Sequence, residues 1–345
     1  MLRVGLGTRD LANIRFATSP LWEVVASVRV AKSPRSFPEH LSWSSRARSR
    51  LAGVQWQLLA DLVAMPTKVI PSFLCPPPTS PRPTLDEELA ALPTATAPDA
   101  VRTCLARLGE PATPRVAALL ADPETGLARL GQEIRGYFDA TIAPYWSRML
   151  TLLDRQVLVG SERIAATGLA GLLNQLSPHV SLDGETLRVN HLHAAGDIRL
   201  DGRGLLLVPS IFAGPRVFSN LGSSRQPTLR YPVGGTAVLW ERPDRAVGRS
   251  LGRVLGRTRA RLLHELAVPA STTDLATRCG LAAGTVSLHL TALRDAGLVS
   301  SHRSGRYLLY ARTSAAEAML AGAGATSDVP SASAHDRGCR VSAGR

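Results

Sequence analysis

The sequence predicts an α+β chain built in two parts, and three observations predict it. Apolar residues recur at helical spacing as far as Leu176 and then alternate at strand spacing from Val180 onward. The charge balance shifts near residue 245, beyond which arginine dominates. Glycine-punctuated helices then follow one another between Ser271 and Gly297. A mixed helix-and-strand domain over 1–245 is therefore expected. It precedes a smaller basic unit over 246–313, and 314–345 adds a short helix with a disordered tail beyond Gly322.

The bulk numbers fit this division. A chain of 345 residues with 45% hydrophobic content has room for two domains with cores of their own. The formal charge of +13 suggests a polyanionic partner. Lys32 and Lys68 are the only lysines, so the remaining basic residues are all arginine. That composition also follows from a GC-rich genome, so where the charge lies says more than its sum. No long apolar run precedes Arg9 and Asp10, and no later run is long enough to span a bilayer. Cys75, Cys104, Cys279 and Cys339 lie far apart without CxxC spacing. The expectation is a soluble cytoplasmic protein with no membrane partner, metal or cofactor.

In the first part, Ser19-Pro20 starts a helix over Leu21–Val30, with serine at the cap and proline in the first turn. Val54–Met65 reads as a second helix ended by Pro66. Six prolines between Pro71 and Pro83 call for an extended loop or linker. Helical character resumes over Asp86–Leu92 and Ala100–Leu108. The longest signal runs from Gly126 to Leu176, with Pro144 expected to kink or break it. Asp183-Gly184-Glu185, between alternating apolar residues, marks a hairpin. Leu205–Val208, Arg216–Phe218, Thr228–Tyr231 and Ala237–Trp240 read as further strands, giving helices first and a small sheet afterwards.

The basic part is more explicit. Leu251, Val254, Leu255, Leu262, Leu263 and Leu266 give a first helix an apolar face, and Pro269 ends it. Ser271-Thr272-Thr273-Asp274 resembles a capping box, with the aspartate at the positive end of a short helix. Leu275, Ala276 and Cys279 line that helix, and Gly280 stops it in a left-handed turn. Gly284–Ala296 forms a longer helix that buries Val286, Leu290 and Leu293 and ends at Gly297. A strand from Leu298-Val299, a turn over His302–Arg306 and a strand over Tyr307–Arg312 complete a two-stranded wing with a basic tip. Short helix, glycine turn and longer helix make the unit whose second helix enters the major groove of double-stranded DNA. The outward face of that helix offers Gly284, Thr285, Ser287, His289, Thr291 and Arg294 to base edges and phosphates. Thr272, Thr273, Arg303, Ser304 and Arg306 are the expected backbone contacts.

Thr273-Asp274-Leu275-Ala276, Gly284-Thr285-Val286-Ser287, His289-Leu290, Leu293 through Val299 and Gly305-Arg306-Tyr307 resemble the ArsR-type winged helix-turn-helix repressors over about 65 residues. The resemblance implies a homodimer that holds operator palindromes and releases them on binding an effector. Ile14–Ala26 and Arg203–Phe218 further resemble a long uncharacterised domain fused ahead of such winged helices. The metal-sensing branch of the family carries paired cysteines where this chain has Ser271 and Thr273. No histidine lies between His302 and His335 to rebuild the C-terminal metal site. The effector expected is therefore a small molecule other than a metal. Ala282 stands where the longer helix usually has a capping serine, a loss worth about 1 kcal/mol.

Other features receive plainer readings. Arg249, Arg253, Arg257 and Arg261 fall every fourth residue and share one helix stripe, which suits either a phosphate backbone or a solvated face. Cys279 takes an aliphatic core position. His191-Leu192-His193 with Asp197 invites a zinc-hydrolase reading, but no further His or Cys cluster supports it. Gly5-Leu6-Gly7 is too short to cradle a phosphate and follows no clear strand. The five tryptophans read as core. A sequence-specific regulator, more specifically a homodimeric repressor, is the expectation. An apolar effector pocket is expected near Leu205–Tyr231. The competing possibility is an enzyme with its catalysis in 1–245 and the winged helix as an accessory.

Overall fold

The computed structural model describes residues 1–67, 70–94, 113–191, 194–221, 226–240, 252–266, 269–304 and 307–325. Helices and strands are both present, as the α+β class requires, and the chain divides into two compact units, Met1–Glu241 and Arg242–Arg345.

The first unit opens with strands. β1 (Leu2–Gly5), α1 (Thr8–Ala12) and β2 (Arg15–Phe16) precede the buried helix α2 (Pro20–Lys32). Helices α3 (Leu41–Leu51), α4 (Gln57–Leu62), α5 (Leu85–Thr94), α6 (Pro114–Ala121), α7 (Pro123–Thr141) and α8 (Ala143–Gln175) follow. Strands β3 (Val180–Asp183), β4 (Thr186–Val189), β5 (Gly196–Arg199), β6 (Leu206–Ser210), β7 (Phe218–Asn220) and β8 (Thr228–Pro232) complete it. They form two four-stranded sheets, ordered β3-β4-β1-β5 and β2-β6-β8-β7. β1 lies antiparallel to β4 and parallel to β5, and β2 lies parallel to β6. The expected order of helices first and sheet afterwards is thus corrected. The N-terminal segment supplies a strand to each sheet, a long-range pairing that local periodicity does not encode.

Several elements form as the sequence dictates. Ser19 Oγ accepts the Trp22 N–H at the start of α2. Pro144 sits in the first turn of α8, where its missing N–H costs nothing, so the long helical stretch breaks at Ile142, and Gly168, at φ 69° and ψ −179°, kinks it again within α8. Gly184 turns the β3–β4 hairpin at φ 57°. The C-terminal helix also forms, over Ser314–Ala325, and runs past Gly322. Residues 326–345 and the Ala100–Leu108 helix expectation lie outside the described residues.

Others differ. The helix expected over Val54–Met65 is only α4, because the buried Glu133 carboxylate takes the Leu58 and Leu59 N–H groups (2.8 and 3.1 Å) and fixes its start. The proline-rich stretch is not a linker: Phe73, Leu74 and Cys75 are buried in the main core, with Ser72–Leu74 as a 3₁₀ turn. Ala237–Trp240 is also a 3₁₀ turn rather than a strand. Trp240 donates to His40 Nδ1 (3.0 Å) and stacks on Phe212, contacts that a sheet position would forgo.

The second unit contains α9 (Arg257–Glu265), β9 (Ala270–Ser271), α10 (Thr272–Cys279), α11 (Ala283–Asp295), β10 (Val299–Ser304), β11 (Tyr307–Arg312) and α12 (Ser314–Ala325). Its core is aliphatic, built from Leu262, Leu263, Leu266, Leu275, Val286, Leu290, Leu293 and their neighbours. The expected first helix is interrupted. Gly256 takes φ 83° between the helical residues 252–255 and α9, and Val254 is 79% exposed instead of buried.

Candidate nucleic-acid interface

The interface is assembled from α10, its glycine turn and α11. Ser271 Oγ accepts the Asp274 N–H (3.2 Å), and the Asp274 carboxylate accepts the Ser271 N–H (3.2 Å), so the capping box is complete. The aspartate also complements the dipole of α10. Leu275, Ala276 and Cys279 bury one side of the helix. Gly280 then takes φ 63° and ψ 38°, a left-handed conformation that strains any residue with a Cβ, and the chain reverses into α11. Burial raises the Cys279 thiol above its ordinary range, so this residue is core filler.

α11 begins at Ala282 without a side-chain cap and buries Val286, Leu290 and Leu293. Thr285, Ser287, Thr291 and Arg294 are exposed and His289 is half-buried. The helical period brings Ser287, Thr291 and Arg294 onto one stripe and Thr285 with His289 onto another. Leu288, which the sequence reading passed over, lies between the two stripes and is 70% exposed. An outward apolar residue at that register was legible in the helical period. Arg294 is paired with Asp295 (3.7 Å) in the last turn. His289 Nδ1 is buried without a hydrogen-bond partner among the described residues.

Thr272 and Thr273 occupy the first turn of α10, where backbone amides have no intrahelical acceptor. β9, just before them, pairs with β11 through Ser271↔Leu309 and Ala270↔Tyr310. The three-stranded sheet β10-β11-β9 therefore ties the hairpin base to the start of α10. β10 and β11 pair as far as Ser304↔Tyr307, so the strand continues through His302–Ser304, where a turn was expected. Arg303 and Ser304 are thus the last paired residues of β10. Arg306 lies outside the described residues. Arg312 holds the other end of the hairpin, donating to the Leu263 and His264 carbonyls (2.7 and 2.8 Å) and facing Glu317.

Arg253, Arg257, Arg259, Arg261 and Arg278 are exposed and form no ion pair among the described residues. The break at Gly256 means that Arg253 does not share a continuous helix stripe with Arg257 and Arg261, as spacing alone had suggested. Arg249 lies outside the described residues. The unit still carries unpaired cations where a polyanion would neutralise them.

The first unit's expected sites resolve differently. β1 does precede Gly5-Leu6-Gly7, contrary to expectation, but the loop's donors are already taken. Asp10 accepts the Gly7 and Gly204 N–H groups (both 3.0 Å), and Gly204, at φ 71°, packs where a Cβ would lie 2.3 Å from the Asn13 carbonyl oxygen. His191 Nε2 is bonded to Ser219 Oγ (2.7 Å) and Asp197 faces Arg3 (3.5 Å), so these two are engaged elsewhere, while His193 lies outside the described residues. No group of three or more His, Cys, Asp or Glu is placed to hold a metal among the described residues. Trp22, Trp43 and Trp240 are buried core, with Trp56 and Trp146 packed against it. Near Leu205–Tyr231, where an apolar pocket is expected, the apolar side chains belong to buried core. Leu205, just before β6, is fully buried, as are Leu207 and Val208 in β6 and Leu229 in β8. A polar cleft of about 310 Å³ touches the end of that stretch at Tyr231 and Pro232. A second cleft, of about 340 Å³, has a mixed lining that sets Leu85, Phe138, Trp146 and Leu150 beside Arg82, Asp86 and Arg135.

Comparison with known proteins gives two matches. Residues 99–237 match a family of unknown function, DUF5937, a stretch that includes Arg203–Phe218 but not Ile14–Ala26. Residues 255–302 match a helix-turn-helix domain, covering α9 through α11 and ending within β10. No curated protein and no solved structure matches the chain. No helix among the described residues is long and apolar enough to cross a membrane. The C-terminal unit is similar to a helix-turn-helix domain, which suggests a DNA-binding transcription regulator, and it follows a region similar to DUF5937.

Proposed function

We propose that this chain is a sequence-specific, homodimeric repressor of the ArsR winged-helix type. It acts in the cytoplasm, and its N-terminal unit responds to a small molecule other than a metal. The division of α11 carries the proposal: Val286, Leu290 and Leu293 are buried, while Thr285, Ser287, Thr291 and Arg294 face outward. A helix anchored on one side and rich in hydroxyls on the other fits a major groove and has no need of such a face as a mere core element. Hairpin β10–β11 then serves as the wing, and Arg303 and Arg306 meet phosphates. Ser271 and Thr273 cannot supply the thiolates of a metal sensor, which supports an effector of another kind.

A mobility-shift titration of the full chain with duplex DNA from upstream of its own gene tests the proposal. Retention of that duplex over an unrelated one of equal length is the expected result. Equal weak retention of both, unaffected by Thr285→Ala with Ser287→Ala, contradicts sequence-specific regulation.

A further inference from the structure

The outward face of α11 lacks the residues that usually read most bases. Guanine is taken bidentately by Arg or Lys, adenine by Asn or Gln, and cytosine by an acid. From Ala283 to Leu293 the helix contains none of these types. Its one arginine, Arg294, lies in the last turn beside Asp295. What stands in the middle of the face is Leu288, 70% exposed. Gly284 and Thr285 lie one turn before it and Thr291 one turn after. A Cβ added at Gly284 would meet nothing within 4 Å, so the surface beside Leu288 is open to close approach.

A single exposed leucine is ordinary on a protein surface. This one gains weight from its neighbours, whose hydroxyls can meet donors and acceptors on any base edge and so do not single out one base. In the major groove the apolar feature on a base edge is the C5 methyl of thymine. A second copy of this chain is a poorer occupant, because small polar residues surround the leucine and the exposed arginines of the unit favour a polyanion.

We propose that Leu288 is a specificity-determining residue that recognises the methyl group of a thymine, so that each bound α11 prefers T at one position. This rests on the DNA-binding reading above and adds the base that is read.

The test uses the full chain and a random duplex pool. After selection, each enriched dT is replaced in turn by dU, which removes only the methyl. Wild type should lose about fourfold in affinity at one position per recognition helix, the worth of one methyl group removed from water. Leu288→Ala, an exposed change to a better helix former, should bind the dT and dU duplexes alike. Its salt dependence should stay as in wild type, since the contact carries no charge. Equal binding of dT and dU by wild type at every selected position overturns the proposal, as does a dU penalty that persists in Leu288→Ala. Loss of self-association in Leu288→Ala, read by sedimentation, also overturns it by showing that protein covers the leucine. Failure of wild type to bind any duplex would instead remove the DNA-binding reading itself, and the thymine contact with it.

Discussion

The two units bury different chemistry. Every buried polar or charged residue among those described lies between Asp10 and Thr236. The core of the second unit is aliphatic apart from Cys279 and Tyr310. In the first unit, glutamates fasten element ends to one another from a distance. Glu23 accepts the Ile211 and Phe212 N–H groups (2.9 and 3.2 Å), Glu88 accepts the Ser19 hydroxyl and the Leu21 N–H (2.6 and 2.7 Å), and Glu133 does the same for α4. Arg230 is equally buried, donating to the Cys75 and Pro76 carbonyls with Trp22 against its guanidinium. The second unit closes both ends of α10 locally, with Ser271, Asp274 and Gly280, and reaches farthest along the chain through Arg312 at the end of α9. One unit is specified by long-range polar pairs and the other by short-range pattern, and the two should respond to substitution in different ways.

The largest effect is expected at Glu23. Glu23→Ala leaves two buried N–H groups without acceptors, each costing about 1–3 kcal/mol. Every tryptophan lies in the first unit, so denaturant unfolding followed by tryptophan fluorescence reports on that unit alone. Its midpoint should fall sharply while DNA retention at low denaturant persists. Joint loss of both would break the separation drawn here. Leu290→Ala is the converse. Removing this fully buried leucine should cost about 2–5 kcal/mol in the second unit, abolish DNA retention, and leave the fluorescence transition in place.

The pH response sharpens the comparison. Burial pushes the Glu23 and Glu88 carboxyls up to about 7 from an ordinary 4.5. Folding then holds protons that the unfolded chain has released. The stability they contribute is complete below pH 4.5 and is lost as pH rises through 7. His40 works in the opposite sense. Burial lowers it to about 4, so its contribution is present above pH 6.5 and is lost toward 4. Two acids outweigh one histidine, so moving from pH 7.5 to 5.5 should stabilise the first unit by on the order of 2 kcal/mol. Glu23→Gln with Glu88→Gln should reverse the slope, which the same fluorescence titration reads.

The smallest change is a gain. Ala282 has the extended conformation of an N-cap (φ −66°, ψ 140°) but no side chain to accept a bond, so Ala282→Ser should stabilise the second unit by about 0.5–1 kcal/mol. Thermal unfolding by far-UV dichroism would register it, and an unchanged midpoint would mean that α11 is already capped by other means.

This contrast also explains what the sequence disclosed. The capping box at Ser271, the left-handed Gly280 and the buried triad Val286, Leu290 and Leu293 act within a few residues of one another, so periodicity and cap chemistry suffice to place them. The outward side chains of α11 follow from the same period. In the first unit, β1 finds its partners β4 and β5 more than 180 residues away, and α4 begins where Glu133 dictates. No local pattern signals such pairings, so periodicity alone misses the two N-terminal strands and reads Ala237–Trp240 as a strand. Gly256 shows the limit even in the second unit, since an isolated glycine in an apolar pattern does not announce a break.

The most direct test is the salt dependence of DNA binding by the full chain, followed by fluorescence anisotropy. With α11 in the groove and the wing on the backbone, the logarithm of the association constant should fall linearly with the logarithm of salt concentration. Arg303→Ala or Arg306→Ala should reduce that slope by about one each. An affinity for duplex DNA that is absent, or that does not change with salt, would contradict the assignment of α10 and α11 as a DNA-reading pair.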